Sequence, residues 1–188
     1  MSVFKSVLLA GLVALPMAVA ANATDMAPTI PSEVTTTSGL YLRADGGVSF
    51  LNWSGGSNDH SYVGDFGIGY DFGDGLRSDV TANWTGDYIV APGATINSRM
   101  VLGNVYYDWK NESALTPYIG AGLGYGWSDA SGPGYFNTSG IAVGLNAGVA
   151  YEMTNNLALD VGYRFHDILN GGATPAEHQV TVGLRVKF

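Results

Sequence analysis

Three histidines, His60, His166 and His178, are the residues best suited to ligation chemistry, and each has a carboxylate beside it: Asp59, Asp167 and Glu177. Imidazole is the commonest ligand for zinc, copper and haem iron, and neighbouring acids can add ligands or orient the rings. The spacing of the elements described below places all three at one end of the fold. If Leu157 lies opposite Phe188, then His178 faces Asp167 and His166 faces Gln179. A weak metal or haemin site at that mouth is one reading. The other is that histidine is simply acceptable in polar loops and at strand ends. Ser61 follows His60 directly, but adjacent residues seldom align for proton transfer, and no nucleophile is held against a base by any recognisable motif. No nucleotide loop and no closed ligand motif is present, so no cofactor and no catalytic residue is expected. Cysteine is absent, and with it any disulfide framework.

The elements that would position these residues alternate with period two. Eight segments do so: 40–53, 63–72, 76–88, 98–109, 116–127, 140–153, 157–167 and 178–188. Most exceed the roughly five or six residues of a globular strand and match the about 9–11 that a tilted membrane strand needs. The connections alternate in length too. Those at 73–75, 110–115 and 154–156 are short turns, whereas 54–62, 89–97, 128–139 and 168–177 are longer and rich in Gly, Asn, Ser and Pro. Short turns at one end and long loops at the other are the pattern of an up-and-down barrel with both termini on the turn side.

Assigning each strand one parity separates the residue types. One side carries Val48 and Phe50, the run Phe66, Ile68, Tyr70 and Phe72, and Val143, Val161, Val182 and Leu184. The other holds Arg43, Asp45, Asp65, Asp71, Arg77, Asp79, Asp108, Glu152, Asp160, Arg164, Arg185 and Lys187. A Lys or Arg facing lipid near the bilayer midplane costs about 2–4 kcal/mol, so the apolar side is expected to face lipid and the charged side the lumen. Trp109, Tyr151 and Phe188 fall near the turn ends, and Phe50, Trp84, Trp127 and Phe165 near the loop ends. Two aromatic girdles are thus expected at the two interfaces. The fold class is all-β, an eight-stranded antiparallel transmembrane barrel. Its interior should be just wide enough for side chains to fill, with oppositely signed charges paired across it rather than lining a wide pore. A row of inward glycines, Gly120, Gly122, Gly124 and Gly126, leaves space for water or for long side chains from across the lumen.

The N-terminus reads as an export signal. Lys5 precedes an apolar stretch at 7–21, and small residues crowd 18–23. Ala18-Val19-Ala20 and Ala21-Asn22-Ala23 both fit a cleavage site, the second giving a signal peptide at 1–23 and a mature start at Thr24. Residues 24–39, with Pro28, Pro31 and Thr35 to Thr37, read as an extended leader, leaving 40–188 as the barrel domain. The 16 acids against 8 bases, with no basic run, argue against nucleic acid as a partner.

The chain closes on Thr181-Val182-Gly183-Leu184-Arg185-Val186-Lys187-Phe188. This resembles the C-terminal signal read by the barrel-assembly machinery, with Gly183, Val186 and Phe188 at its diagnostic positions. Pro117-Tyr118-Ile119-Gly120-Ala121-Gly122-Leu123-Gly124-Tyr125, Asn104-Val105-Tyr106-Tyr107-Asp108 and Val161-Gly162-Tyr163-Arg164-Phe165 resemble segments of small alphaproteobacterial outer-membrane barrels, the porin-family or opacity-protein-like surface antigens. The resemblance implies a monomer in the outer membrane of a Gram-negative bacterium, in contact with outer-membrane lipid and lipopolysaccharide. It implies a surface protein that contributes to envelope integrity and surface interactions. A barrel that binds or transports a small solute, a metal or haemin is the alternative, and a lipid-modifying enzyme a third reading.

Overall fold

Alternation of apolar and polar residues, with glycine wherever strands approach closely, folds the chain into one continuous sheet. The structure, a computed structural model, describes residues 38–52, 58–134, 137–169 and 176–188. The strands are β1 (Gly39–Asn52), β2 (Asp59–Asp71), β3 (Leu76–Thr85), β4 (Tyr88–Ala91), β5 (Ala94–Asp108), β6 (Leu115–Ser131), β7 (Thr138–Glu152), β8 (Leu157–Leu169) and β9 (Ala176–Lys187). Each pairs antiparallel with its chain neighbour, and β9 returns to β1. Pairing of β3 with β5 completes the ring of eight long strands, while the short β4 extends β5 beyond its rim. The proposed signal peptide at 1–23 and the leader, apart from Ser38 and Gly39, lie outside the described residues.

The ladder runs further at the loop end than the alternation of apolar residues implied. Residues 89–97, expected as a loop, instead form a hairpin of β4 and the start of β5, turning at Pro92-Gly93 with Gly93 at φ 75°. β6 likewise continues to Ser131, and β2 begins at Asp59. Antiparallel hydrogen bonding needs no lipid, so strands continue past the apolar band whose edge marked their expected ends. At the other end the turns are tight. Gly73 and Gly75 take φ of 100° and 85°, conformations that side chains with a Cβ avoid, and Phe72 N–H donates to the Leu76 carbonyl at 2.9 Å.

Facing follows the expected parity. Ile68, Val80, Leu123, Val161 and Val182 stand on the outer wall, about half exposed, whereas Arg43, Asp65, Arg77, Asp79, Asp160 and Arg164 are buried inside. This inverts the arrangement of a water-soluble protein, whose apolar side chains turn inward, and suits a barrel whose solvent is hydrocarbon.

Candidate functional site

The lumen is filled in layers. Nearest the turn end, Arg77 donates through Nε to both carboxylate oxygens of Asp108 at 2.9 Å, and its guanidinium lies 4.0 Å from the Tyr106 ring centre and 4.9 Å from that of Tyr118. Arg185 bridges Asp108, Asp160 and Glu152. Above them Arg43 donates to Asp45 at 2.9 Å, to Asp79 at 3.3 Å and to the Tyr106 hydroxyl at 3.0 Å, while Arg164 reaches Asp45 and Asp65. Burying ions is costly unless each finds an opposite charge, and here each buried guanidinium has a carboxylate beside it, although Arg77 Nη1 and Nη2 and Asp160 Oδ1 make no hydrogen bond. The space between Asp65, Asn104, Tyr106, Asn146, Arg164 and His166 has no room for a water-sized sphere.

Toward the loops the interior becomes apolar. Met100, Leu102, Ala142 and Ile168 pack together, and beyond them Leu51, Tyr88, Val90, Ala94 and Ile96 close the mouth. The hairpin unforeseen in the sequence supplies four of these last five, because Tyr88, Val90, Ala94 and Ile96 all turn inward. A polar group sits among the two apolar sets: Ser98 donates to Glu177, and Gln179 donates to Glu177 at 3.1 Å and to Asn83 at 3.4 Å. The glycine row on β6 is occupied space. A Cβ at Gly126 would come 2.8 Å from Ile168 Cδ1, and Gly120 and Gly122 lie against Tyr106 and Asn104.

The three histidines do not converge. His166 is inside and 2 % exposed, whereas His178 and His60 are on the outer wall. His178 Nδ1 lies 2.6 Å from the Tyr163 hydroxyl and its ring packs near Phe165; the His60 side chain is 72 % exposed, 3.7 Å from Asp59. The expected pairing of Leu157 with Phe188 is corrected by two residues: Leu157 pairs with Val186, so His178 faces Phe165 and His166 faces Glu177. Asn156 closes the ladder in this register. Lys187 N–H donates to the Asn156 carbonyl at 2.8 Å and Asn156 Nδ2 to the Lys187 carbonyl at 2.9 Å, while Phe188 N–H goes across to Leu40. The parity of the strands already separated the rings, since His166 shares a face with Arg164 and His178 with Val180. Ser61 and His60 likewise point to opposite faces of β2. Among the described residues no three His, Asp or Glu side chains are grouped as a ligand set.

At the loop end Asp59, the first residue of β2, accepts a hydrogen bond at 2.6 Å from Ile89 N–H, tying β2 to β4. That bond holds its carboxyl below the ordinary carboxylate range. One level below, the outer wall carries a row that the sequence pattern did not single out: Trp84 of β3, Arg99 of β5 and Trp127 of β6 are directly opposite one another. Arg99 breaks the segregation of charges, and its parity alone would have revealed it.

Of the residues at the C-terminal signal, Gly183 makes room inside for the Asp45 carboxylate, whereas Val186 and Phe188 face outward. A sequence profile for the outer membrane protein beta-barrel domain matches residues 7–188. The chain belongs to that family. It is 28 % identical to an uncharacterized protein of Brucella abortus, over 75 % of this chain and 72 % of the relative, and 27 % identical to the outer membrane protein PagN of Salmonella typhimurium, over 68 % and 73 %. The opacity protein opA67 of Neisseria gonorrhoeae is 27 % identical over 50 % of this chain and 55 % of its own. Among solved structures, the Neisserial surface protein A superposes with a TM-score of 0.70 at 26 % identity, covering 81 % of this chain and 99 % of that one. The Ail protein of Yersinia pestis shares the fold, with a TM-score of 0.57 at 15 % identity. As a member of the family the protein resides in the Gram-negative outer membrane, a β-barrel of the surface-protein group.

Proposed function

We propose that this outer-membrane barrel acts through its wall and its loops rather than through its lumen: it strengthens the envelope as a monomeric anchored element and presents four connections, 53–58, 86–97, 132–137 and 170–175, to the outside. The observation that carries this reading is the filled interior. A charge network at one level and two apolar sets at the next stand in series along the barrel axis. A solute or haemin would have to displace both to cross, and an ion would meet an apolar barrier. The reading is non-enzymatic. The short turns face the periplasm, as in other barrels of this construction, and Phe188 serves the assembly machinery as a recognition residue.

The test is a pair of measurements on one strain. Purified barrel reconstituted in planar bilayers should give no stepwise conductance, and a deletion strain should become more sensitive to detergent and EDTA, restored by the gene in trans. Stable channels from the purified protein, together with unchanged envelope resistance in the deletion strain, would overturn the proposal.

A further inference from the structure

Among the described residues the outer wall bears one Lys or Arg at the loop end, and its surroundings are shaped as a site. Of the eight basic residues, Arg43, Arg77, Arg164 and Arg185 are buried in the lumen, Lys187 is paired with Asp71, and Lys110 donates to the Gly73 carbonyl at the turn end. Lys5 lies outside the described residues. Among the described residues Arg99 is therefore the cation that faces outward at the loop end, its side chain 65 % exposed.

Three features open space around it. The β3–β5 ladder stops at the pair Trp84 and Arg99, because Gly86-Asp87 leads the chain away into β4. Past that point the strands are held by side chains: Ser98 N–H donates to the Thr85 hydroxyl at 3.0 Å, and Asn97 Nδ2 donates to Asp87 at 2.8 Å. Next, the Trp84 indole leans away from Arg99 over Gly64 of β2, where a Cβ would come 2.5 Å from Trp84 Cζ2. Finally Ala82, paired with Val101, leaves a low floor beneath. The result is a concavity of about 850 Å³ on the wall, with Trp84 and Trp127 on its sides, Ala82 and Val101 below and Arg99, Asn97, Asp87 and Asp129 toward the loops.

We propose that this concavity holds a lipid of the outer leaflet, the phosphate of its headgroup against the Arg99 guanidinium and the first part of an acyl chain between Trp84 and Trp127. Level and the donor geometry of the guanidinium point to a phospholipid-like occupant, with the two lining carboxylates already engaged, Asp87 by Asn97 and Asp129 by Arg99 itself. Tryptophans mark the interface between hydrocarbon and headgroups, so Arg99 is at the height of headgroup phosphates and Val101 at that of the acyl chains. A guanidinium presents five donors in a planar fork that fits a phosphate, and the ion pair with Asp129, Nη2 to Oδ2 at 3.3 Å, engages one end of it. Asp129 orients the side chain, and being 45 % exposed it can turn to water when the phosphate arrives. The site rests on the reading that the loop end faces outward only for the choice of leaflet; its chemistry is independent of orientation.

The experiment uses the refolded full barrel in a neutral detergent, titrated with phosphatidic acid and, separately, with phosphatidylcholine of the same chains, with bound lipid counted by native mass spectrometry. Inorganic phosphate forms a further arm. One phosphatidic acid should be retained per barrel at concentrations where phosphatidylcholine is not, and Arg99→Gln should weaken retention about tenfold, the scale of one charge-assisted hydrogen-bonded contact. Arg99→Lys, which keeps the charge without the fork, should lose less. Because Arg99 is exposed, the variants should fold, and an unchanged shift in gel mobility on heating checks this. Equal retention of phosphatidic acid by the wild type and Arg99→Gln would overturn the site. Displacement of the lipid by inorganic phosphate at equal concentration would overturn the lipid as occupant. These outcomes are read without a cell, so they are separate from those that test the envelope reading.

Discussion

Arg77 and Asp108 sit on neighbouring long strands, β3 and β5, diagonal to one another, and meet through Nε with both carboxylate oxygens at 2.9 Å, while the guanidinium face stacks on Tyr106. Both are buried, and no water can replace either partner cheaply. Asp108→Ala is expected to leave a buried cation short of its countercharge and to destabilise the barrel by about 3–5 kcal/mol. Replacing both, as Arg77→Met with Asp108→Leu, should cost less than the single change. Urea unfolding in lipid vesicles measures the difference, and a double variant weaker than Asp108→Ala would contradict the network's role.

The facing of the strands predicts an asymmetry between neighbours. Val161→Arg places a charge on the lipid face at mid-strand and should cost about 2–4 kcal/mol, whereas Asn146→Ser, inside the lumen, should be tolerated. Folded yield judged by heat-modifiable gel migration separates them. Equal yields would reverse the assignment of the two faces.

The seam between first and last strands has a position with no tolerance for a side chain. A Cβ at Gly47 would run into the Val180 carbonyl and come 2.8 Å from Thr181 Cα, both backbone atoms that cannot rotate away. Gly47→Ala should therefore slow closure of β1 on β9 and lower the folded fraction, while Gly46→Ala, whose nearest neighbour is 3.9 Å away, should leave it unchanged. Folding kinetics into vesicles would show both.

Topology can be read with a single thiol, since the natural chain has no cysteine. Pro133→Cys in the β6–β7 connection should react with a membrane-impermeant maleimide on intact cells, and Asn155→Cys in the β7–β8 turn should react only after the outer membrane is breached. Labelling of Asn155→Cys on intact cells would turn the barrel upside down.

What could be read from the sequence was whatever lipid imposes. Hydrocarbon demands an unbroken apolar face, so the eight strands, their facing and the confinement of charges such as Arg43 and Asp45 to the lumen were visible as alternation. Outside the bilayer that demand ends. The hairpin at 88–96 was hidden because Pro92 and Gly93 read as loop residues, although Tyr88, Val90, Ala94 and Ile96 carry the same alternation. Register was the other weakness. Parity fixes which face a residue occupies, but a two-residue slip preserves it, and the alternatives are told apart by the ladder itself, which Asn156 closes on Lys187. The Trp84, Arg99 and Trp127 row needed both facing and register, and so emerged only from the structure.

The hairpin of β4 and β5 has two faces under different constraints. Tyr88, Val90, Ala94 and Ile96 are core residues of the barrel, so substitutions there loosen the closure of the mouth, whereas Ile89, Pro92 and Gly93 are exposed. A connection anchored in this way presents one fixed shape. An antibody against it should recognise the folded barrel and fail against the linear peptide, and escape from that antibody would have to come from the few outward positions.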